Sequence, residues 1–153
     1  MTRVLLALGG NLGDRRTQLL AALTALKASG VRIERASSLY ESKPMYVDLQ
    51  PNFLNAVVEA ETSLQPEDLL ALVKTVERDL GRIERIRNGP RELDIDILAY
   101  GDERRDSPIL TLPHPRMSER PFVLAPLREL RGEPPLDHPD IRIVEGPTWA
   151  GIE

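Results

Sequence analysis

The chain contains no cysteine. It therefore has neither a disulfide framework nor a thiolate nucleophile, and the absence of disulfides suits a reducing compartment. Long apolar runs are also missing near the start, where the run from Val4 to Leu8 is too short for a membrane span or a secretory signal. We therefore expect a soluble, cytoplasmic protein without membrane contact.

A surplus of basic residues is lacking as well. The 153 residues include 20 Lys and Arg against 24 Asp and Glu, for a net charge of -4. General nucleic-acid binders usually carry a basic surplus, so no nucleic-acid partner is expected. The length fits one domain over residues 1–153, and no obligate protein partner is implied. We expect a core at about residues 3–130 and a mostly irregular C-terminal wrap at about 131–153.

What the chain does have is a strand with alternating acidic and apolar residues after a basic loop. Alternation places apolar side chains on one face and carboxylates on the other. Two successive carboxylates of such a strand lie roughly 7 Å apart and can converge on a hard cation such as Mg²⁺. The alternative is an edge strand with a solvated acidic face. The apolar set is Leu93, Ile95 and Ile97, and the acidic set is Glu92, Asp94 and Asp96.

The loop before this strand concentrates positive charge in an acidic chain. It holds Arg82, Arg85, Arg87 and Arg91, with Glu84 as its single acid. Carboxylates for a metal beside guanidinium groups for oxyanions match the needs of a magnesium-bound polyphosphate. The pattern therefore favours a phosphate ligand.

The order of elements predicts an α+β fold with a ferredoxin-like βαββαβ core. The first strand leads through a glycine-rich turn to a helix with Leu19, Leu23 and Leu26 on one face, Asp14 as N-cap and Gly30 as a stop. Two strands, a helix opened by Pro66 and the acidic strand follow. Such a core has a four-stranded antiparallel sheet with both helices on one face. The predicted strands are Arg3 to Leu8, Val31 to Glu41, Phe53 to Glu61 and the Asp94/Asp96 strand.

The turn after the first strand, Gly9 to Asp14, fits neither common phosphate-loop template. No Lys-Ser/Thr pair follows it, and Asn11 occupies the second glycine position of the dinucleotide fingerprint. We interpret it as a structural strand-to-helix turn.

Three other sets of residues are ambiguous by pattern. Phe53 and Asn55 share a strand face, where they can stack on and hydrogen-bond a flat heterocycle. A polar residue near a strand end is, however, often only solvated. Lys74 and Glu77 lie off the apolar stripe of their helix, which predicts a solvated face. His114, between two prolines, can meet a phosphate oxygen or be structural. Pro121 is expected to open a short helix.

Four motifs stand in order along the chain. They are Gly9-Gly10-Asn11-Leu12-Gly13, Pro51-Asn52-Phe53-Leu54-Asn55, Gly89-Pro90-Arg91-Glu92-Leu93-Asp94-Ile95-Asp96, and Leu112-Pro113-His114-Pro115-Arg116-Met117 followed by Arg120-Pro121-Phe122. Together they resemble the hydroxymethyl-dihydropterin pyrophosphokinase family, and the likeness covers about residues 3 to 130. It implies the ferredoxin-like core, with ATP and 6-hydroxymethyl-7,8-dihydropterin as substrates and transfer of pyrophosphate in folate biosynthesis.

The resemblance also implies roles for individual residues. Asp94 and Asp96 are implied as ligands of two Mg²⁺ ions, and Asp96 is the candidate proton acceptor. Catalytic roles in handling the phosphates fall to Arg82 and Arg91. The implied ATP contacts are Glu77, Arg82, Arg91, His114, Arg116 and Arg120, and the implied pterin contacts are Ser42, Phe53, Asn55 and Phe122.

Two other classes of protein remain possible on the sequence. One is a nucleotidyltransferase-like enzyme that uses the same aspartates on another acceptor. The other is a noncatalytic ferredoxin-like nucleotide-binding module, because that fold hosts many functions. Retention of the Asp94/Asp96 pair argues against the second class.

Overall fold

A computed structural model describes residues 1–44, 50–81 and 93–152. Three α-helices and one sheet of six strands form most of this part of the chain. The elements in chain order are β1 (Thr2–Gly10), α1 (Arg15–Ala28), β2 (Val31–Ala36), β3 (Leu39–Ser42), β4 (Phe53–Thr62), α2 (Pro66–Asp79), β5 (Asp94–Tyr100), β6 (Arg105–Asp106), β7 (Thr111–Leu112), α3 (Pro121–Arg131), β8 (Ile141–Glu145) and a 3₁₀ helix (Pro147–Ala150).

The sheet confirms the predicted ferredoxin-like order. β1 lies between β5 and β4, and it pairs antiparallel with both. β2 and β3 both pair antiparallel with β4, one after the other along its length, and so share one position in the sheet. The predicted single strand from Val31 to Glu41 is therefore interrupted at Ser37 and Ser38. Strands β6 and β7 form a separate two-stranded ribbon.

Both faces of the sheet are covered by helices, because its strands carry apolar side chains on either side. The face with Leu6, Leu8 and Ile95 packs against α1 and α2, as the sequence predicts. The opposite face packs against α3 through a second, smaller cluster. That cluster contains Val57, Leu98, Val123, Leu127 and Leu130. The predicted site residues Asn55, Asp94 and Asp96 lie on this second face, because they alternate with residues of the first core.

Local sequence signals start and stop the helices, and the predicted N-cap and first-position prolines are confirmed. Asp14 caps α1, where its Oδ1 accepts a hydrogen bond from Thr17 N at 3.1 Å. Pro66 and Pro121 occupy the first positions of α2 and α3. Gly132 ends α3 in the left-handed conformation, with φ 68°, which a glycine adopts without a steric penalty.

The C-terminal segment is more ordered than the predicted irregular wrap. Its strand β8 pairs antiparallel with β3 and extends the sheet at that edge. Trp149 is 3 % exposed and donates from Nε1 to Ser37 O at 2.7 Å. The proline-rich and charged composition hid this strand, because its exposed Ile143 and Val144 give no alternation between a buried and a solvated face.

Within the described residues, no helix is both long and apolar enough to cross a membrane.

Candidate functional site

A cavity lies where β1, β4, β5 and the start of α3 meet. Seven of the residues predicted to bind substrate or metal line it together. One group comes from β3, β4 and α3 and combines aromatic and polar side chains, and the other combines two acids with one guanidinium group. The first group is Ser42, Phe53, Asn55 and Phe122, and the second is Asp94, Asp96 and Arg120.

The aromatic and amide wall depends on the alternation of β4. Leu54, Ala56 and Val58 enter the main core, so Phe53 and Asn55 face the opposite way. Asn55 is buried, and its Nδ2 donates to Ser42 Oγ at 2.7 Å. Ser42 of β3 is the register partner of Phe53 of β4, which brings these side chains to one wall.

The acidic wall depends on the same alternation in β5. Leu93, Ile95 and Ile97 are buried in the main core, and Asp94 and Asp96 line the cavity. Burial raises the pKa of Asp96 to about 7, and repulsion from Asp94 contributes, while Arg120 acts in the opposite direction. Two acids thus lie near each other on this wall, and the carboxylate of Asp94 disfavours ionisation of Asp96.

Arg120 is the cation of this wall. Its Nη1 lies 3.9 Å from Asp96 Oδ2, and its Cζ lies 5.8 Å from the centre of the Phe122 ring. The buried Nε has no hydrogen-bond acceptor among the described residues. A buried N–H donor without an acceptor is costly, so this atom is suited to an anionic ligand that enters the cavity.

Two other predicted ATP contacts lie close by but do not line the cavity. The backbone N of His114 donates to Leu98 O at 2.8 Å, and its Nδ1 accepts from Arg116 N at 3.2 Å. Burial and the neighbouring Arg120 lower the pKa of His114, so the imidazole is neutral and carries its proton on Nε2. Arg116 is exposed and has Nε 4.0 Å from Glu119 Oε2.

The prediction that Glu77 lies on a solvated helix face is wrong. Glu77 is 2 % exposed, and its Oε2 accepts from Ile95 N at 2.7 Å. Since β5 is an edge of the sheet, the outward backbone N–H groups of this strand need acceptors from elsewhere. Lys74, which remains exposed as predicted, lies 3.4 Å from Glu77 Oε1. Glu77 therefore contacts the strand between the two aspartates and does not line the cavity.

Arg82 and Arg91 lie outside the described residues, as do the other members of the basic loop. Their predicted roles at the phosphates stay predictions.

Some residues that line the cavity were not predicted from the sequence as site residues. Ala7 and Gly9 line it from β1, and Lys43 lines it after β3. A Cβ on Gly9 would lie 2.9 Å from Asn55 Oδ1, so only glycine leaves room for this amide. The side-chain alternation of β1 could have located Ala7 and Gly9. Leu6 and Leu8 point into the main core, so the alternate positions 7 and 9 lie on the opposite face of the sheet.

Relatives of known name match most of the chain. The pyrophosphokinase of the 2-amino-4-hydroxy-6-hydroxymethyldihydropteridine type from Aquifex aeolicus is 46 % identical over 142 residues, which cover 93 % of this chain and 87 % of that protein. The protein of the same name from Bacillus subtilis is 46 % identical over 126 residues, covering 82 % of this chain and 75 % of that protein. The mitochondrial folate synthesis bifunctional protein of Pisum sativum is 52 % identical over 129 residues, covering 84 % of this chain but 25 % of its own length. This chain therefore spans about a quarter of the pea relative.

Solved structures agree on the fold. One HPPK-DHPS structure in complex with substrates has a TM-score of 0.66 at 15 % identity, covering 84 % of this chain and 40 % of that chain. Wild-type HPPK-DHPS from Plasmodium falciparum has a TM-score of 0.59 at 15 % identity, covering 80 % of this chain and 40 % of that chain. Identity this low supports the fold alone. The family model for 7,8-dihydro-6-hydroxymethylpterin-pyrophosphokinase matches residues 5–132, which is most of the chain and includes both walls of the cavity. The chain therefore belongs to the 7,8-dihydro-6-hydroxymethylpterin-pyrophosphokinase family.

Proposed function

We propose that this chain transfers the diphosphate of ATP to the hydroxymethyl group of 6-hydroxymethyl-7,8-dihydropterin in folate biosynthesis, giving the pterin diphosphate and AMP. The observation that carries the proposal is one cavity that is lined both by Phe53, Asn55 and Phe122 and by Asp94 and Asp96. The first set suits a flat, hydrogen-bonding heterocycle. The second suits the metal-bound phosphates of the other substrate.

The pterin ring is assigned to the wall made by β4 and α3. Phe53 and Phe122 are the only phenylalanines of the chain, and both line the cavity. Aromatic faces stack on a flat ring, but stacking alone accepts many heterocycles. The buried Asn55 supplies selection by hydrogen bonding, because a ring without matching groups leaves it unpaired. Ser42 orients that amide by accepting from Nδ2.

Asp94 and Asp96 are assigned to magnesium. Their oxygen donors match a hard cation, and a bound divalent ion would offset the repulsion between the two acids. The described residues contain no group of three or more His, Cys, Asp or Glu placed to hold a metal. Mg²⁺ commonly uses one or two carboxylates together with substrate phosphates and water, so the pair fits two ions that arrive with ATP.

Arg120 is assigned to a phosphate oxygen, because its Nε has no acceptor among the described residues and its Nη1 lies beside Asp96. His114 can donate from Nε2 to ATP in its neutral form. Arg82 and Arg91 are proposed to neutralise the remaining phosphate charge. Glu77 and Arg116 remain proposed ATP contacts with less support, since neither lines the cavity.

In the proposed reaction the hydroxymethyl oxygen of the pterin forms a bond to the β-phosphorus of ATP. The bond between that phosphorus and the oxygen bridging to the α-phosphate breaks, and AMP leaves with this oxygen. Asp96 accepts the hydroxyl proton at a carboxylate oxygen, and Arg120 stabilises charge on the phosphates. Bound magnesium supplies charge neutralisation and lowers the pKa of the attacking hydroxyl. Transfer of this kind requires positioning and charge stabilisation and no covalent nucleophile, in agreement with a chain that has no cysteine.

The test is incubation of the protein with ATP, Mg²⁺ and the pterin alcohol, with the products identified by mass. The expected products are AMP and the pterin diphosphate in equal amounts. Free pyrophosphate with an adenylated acceptor would indicate a nucleotidyltransferase. Binding of ATP without turnover would indicate a noncatalytic module. Location in the cytoplasm remains a proposal, because the pea relative is named as mitochondrial.

A further inference from the structure

The turn between β1 and α1 contacts the segment that leads into β4. Asn11 lies in this turn and is 2 % exposed. Its Nδ2 donates to Gln50 Oε1 and to Pro51 O, each at 2.9 Å. One buried amide thus binds two consecutive residues that lie 39 and 40 positions further along the chain.

The first residue of α1 continues this contact. Arg15 Nη1 donates to Asn52 O at 3.0 Å and to Glu41 Oε2 at 2.9 Å. The oxygens of Gln50 and Pro51 therefore accept from a side chain of the turn, and the oxygen of Asn52 accepts from the first side chain of α1. The next residue is Phe53, the first of β4 and part of the aromatic wall.

A residue at the start of a strand is less restrained than one in its middle, because the chain before it has no ladder hydrogen bonds to hold it. A stacking ring that must be ordered on binding reduces affinity, since immobilising a side chain costs roughly 0.5–1.5 kcal/mol. A side-chain clamp on the three preceding residues orders the ring before the ligand arrives. Contacts this specific are more than a strand-to-helix turn requires for its own conformation.

We infer that Asn11 and Arg15 are positioning residues, which hold the entry to β4 so that Phe53 is preorganised to stack on the pterin. The inference rests on the proposed function, because it assigns Phe53 to the pterin. It gives Asn11 and Arg15 a role in substrate affinity although neither residue lines the cavity.

The test uses Asn11→Ala and Arg15→Gln, with Arg16→Gln as the matched control. Arg16 is the next residue of α1, but its guanidinium pairs with Glu145 in the C-terminal segment and, within the described part of the chain, forms no hydrogen bond with residues 50 to 53. Binding of the pterin alcohol and of a non-hydrolysable ATP analogue with Mg²⁺ is measured by calorimetry, and folding by thermal unfolding. We expect each of the two test variants to bind the pterin about five- to tenfold more weakly, which corresponds to ordering one side chain, with ATP-analogue affinity unchanged. Arg16→Gln should bind both ligands like the wild type.

A second measurement separates positioning from general support of the fold. In a Phe53→Ala background, Asn11→Ala should have little further effect on pterin affinity, because the ring that it orders is gone. An undiminished effect in that background, equal losses for both ligands, or wild-type pterin affinity in both single variants would each overturn the inference. Absence of pterin binding by the wild-type protein would instead overturn the proposed function.

Discussion

The Asn55 side chain donates from Nδ2 to Ser42 Oγ at 2.7 Å, and both residues are buried. This contact joins β4 to β3 on the face of the sheet that opens into the cavity. The amide is therefore held in one orientation before any ligand binds. A preorganised polar group in a buried site discriminates more strongly than a mobile one, because a mismatched ligand leaves it unpaired.

Replacing Asn55 by Ala should weaken pterin binding at least about tenfold, since an unpaired buried group costs roughly 1–3 kcal/mol. Binding of an ATP analogue should be nearly unchanged. Ser42→Ala, which removes only the orienting acceptor, should produce a smaller loss in the same direction. Calorimetric titration of each ligand checks both variants. Equal losses for the two ligands would point to a purely structural Asn55.

Adding one methyl group to Gly9 should also reduce pterin affinity. In Gly9→Ala the new Cβ would lie 2.9 Å from Asn55 Oδ1 and 3.4 Å from Leu54 O, so the amide has to move. We expect a loss of about tenfold, comparable with removal of a single hydrogen bond to the ligand. Gly146→Ala is the control, because its Cβ would have no neighbour within 4 Å. Wild-type pterin affinity in Gly9→Ala would show that Asn55 does not need its present position.

Removing either cavity carboxylate should abolish turnover and leave the fold intact. In Asp94→Ala and Asp96→Ala the core face of β5, with Leu93 and Ile95, is unchanged. AMP release at saturating Mg²⁺ measures turnover, and circular dichroism with thermal unfolding checks folding. Asp102→Ala removes an exposed acid just after β5 and should retain wild-type turnover. Near-normal activity of either test variant would contradict the metal assignment.

Glu41 should make the stability of the fold dependent on pH. A hydrogen bond from Arg142 at 2.7 Å lowers the pKa of Glu41 with help from Arg15, although partial burial acts the other way. A lowered pKa means that the ionised carboxylate stabilises the fold above its ordinary pKa, and that this contribution disappears as the pH falls through the lowered value.

Glu41→Gln should therefore reduce the free energy of unfolding at pH 7 by up to about 1 kcal/mol. The difference from the wild type should shrink towards zero in acid. Urea denaturation at about pH 7 and about pH 3 measures it. Glu59→Gln is the control, because its contact with Arg3 is 3.8 Å long and its loss should change stability little at either pH. A difference for Glu41→Gln that persists in acid would show that the carboxylate contributes by packing and not by charge.

The sequence by itself determined the three helices, the central strands of the sheet and their ferredoxin-like order, and its motifs indicated the family. Local signals suffice for these, because capping, proline position and side-chain alternation act within a few residues. Alternation in β5 correctly placed Leu93 and Ile95 in the core and Asp94 and Asp96 on the other face. Alternation in β4 likewise placed Phe53 and Asn55 on the face of the sheet that lines the cavity.

Only the tertiary structure decided which residues from distant parts of the chain meet. Glu77 is buried because the outer edge of β5 lies beside α2. Strand β8 forms because the edge of β3 provides backbone groups with which it can pair. Glycine is needed at position 9 because the Asn55 side chain packs against it. Asn11 has its role because Pro51 O lies within hydrogen-bonding distance of its amide. Each of these contacts joins residues at least 18 positions apart, and their geometry is set by packing of the whole sheet, which no local pattern encodes.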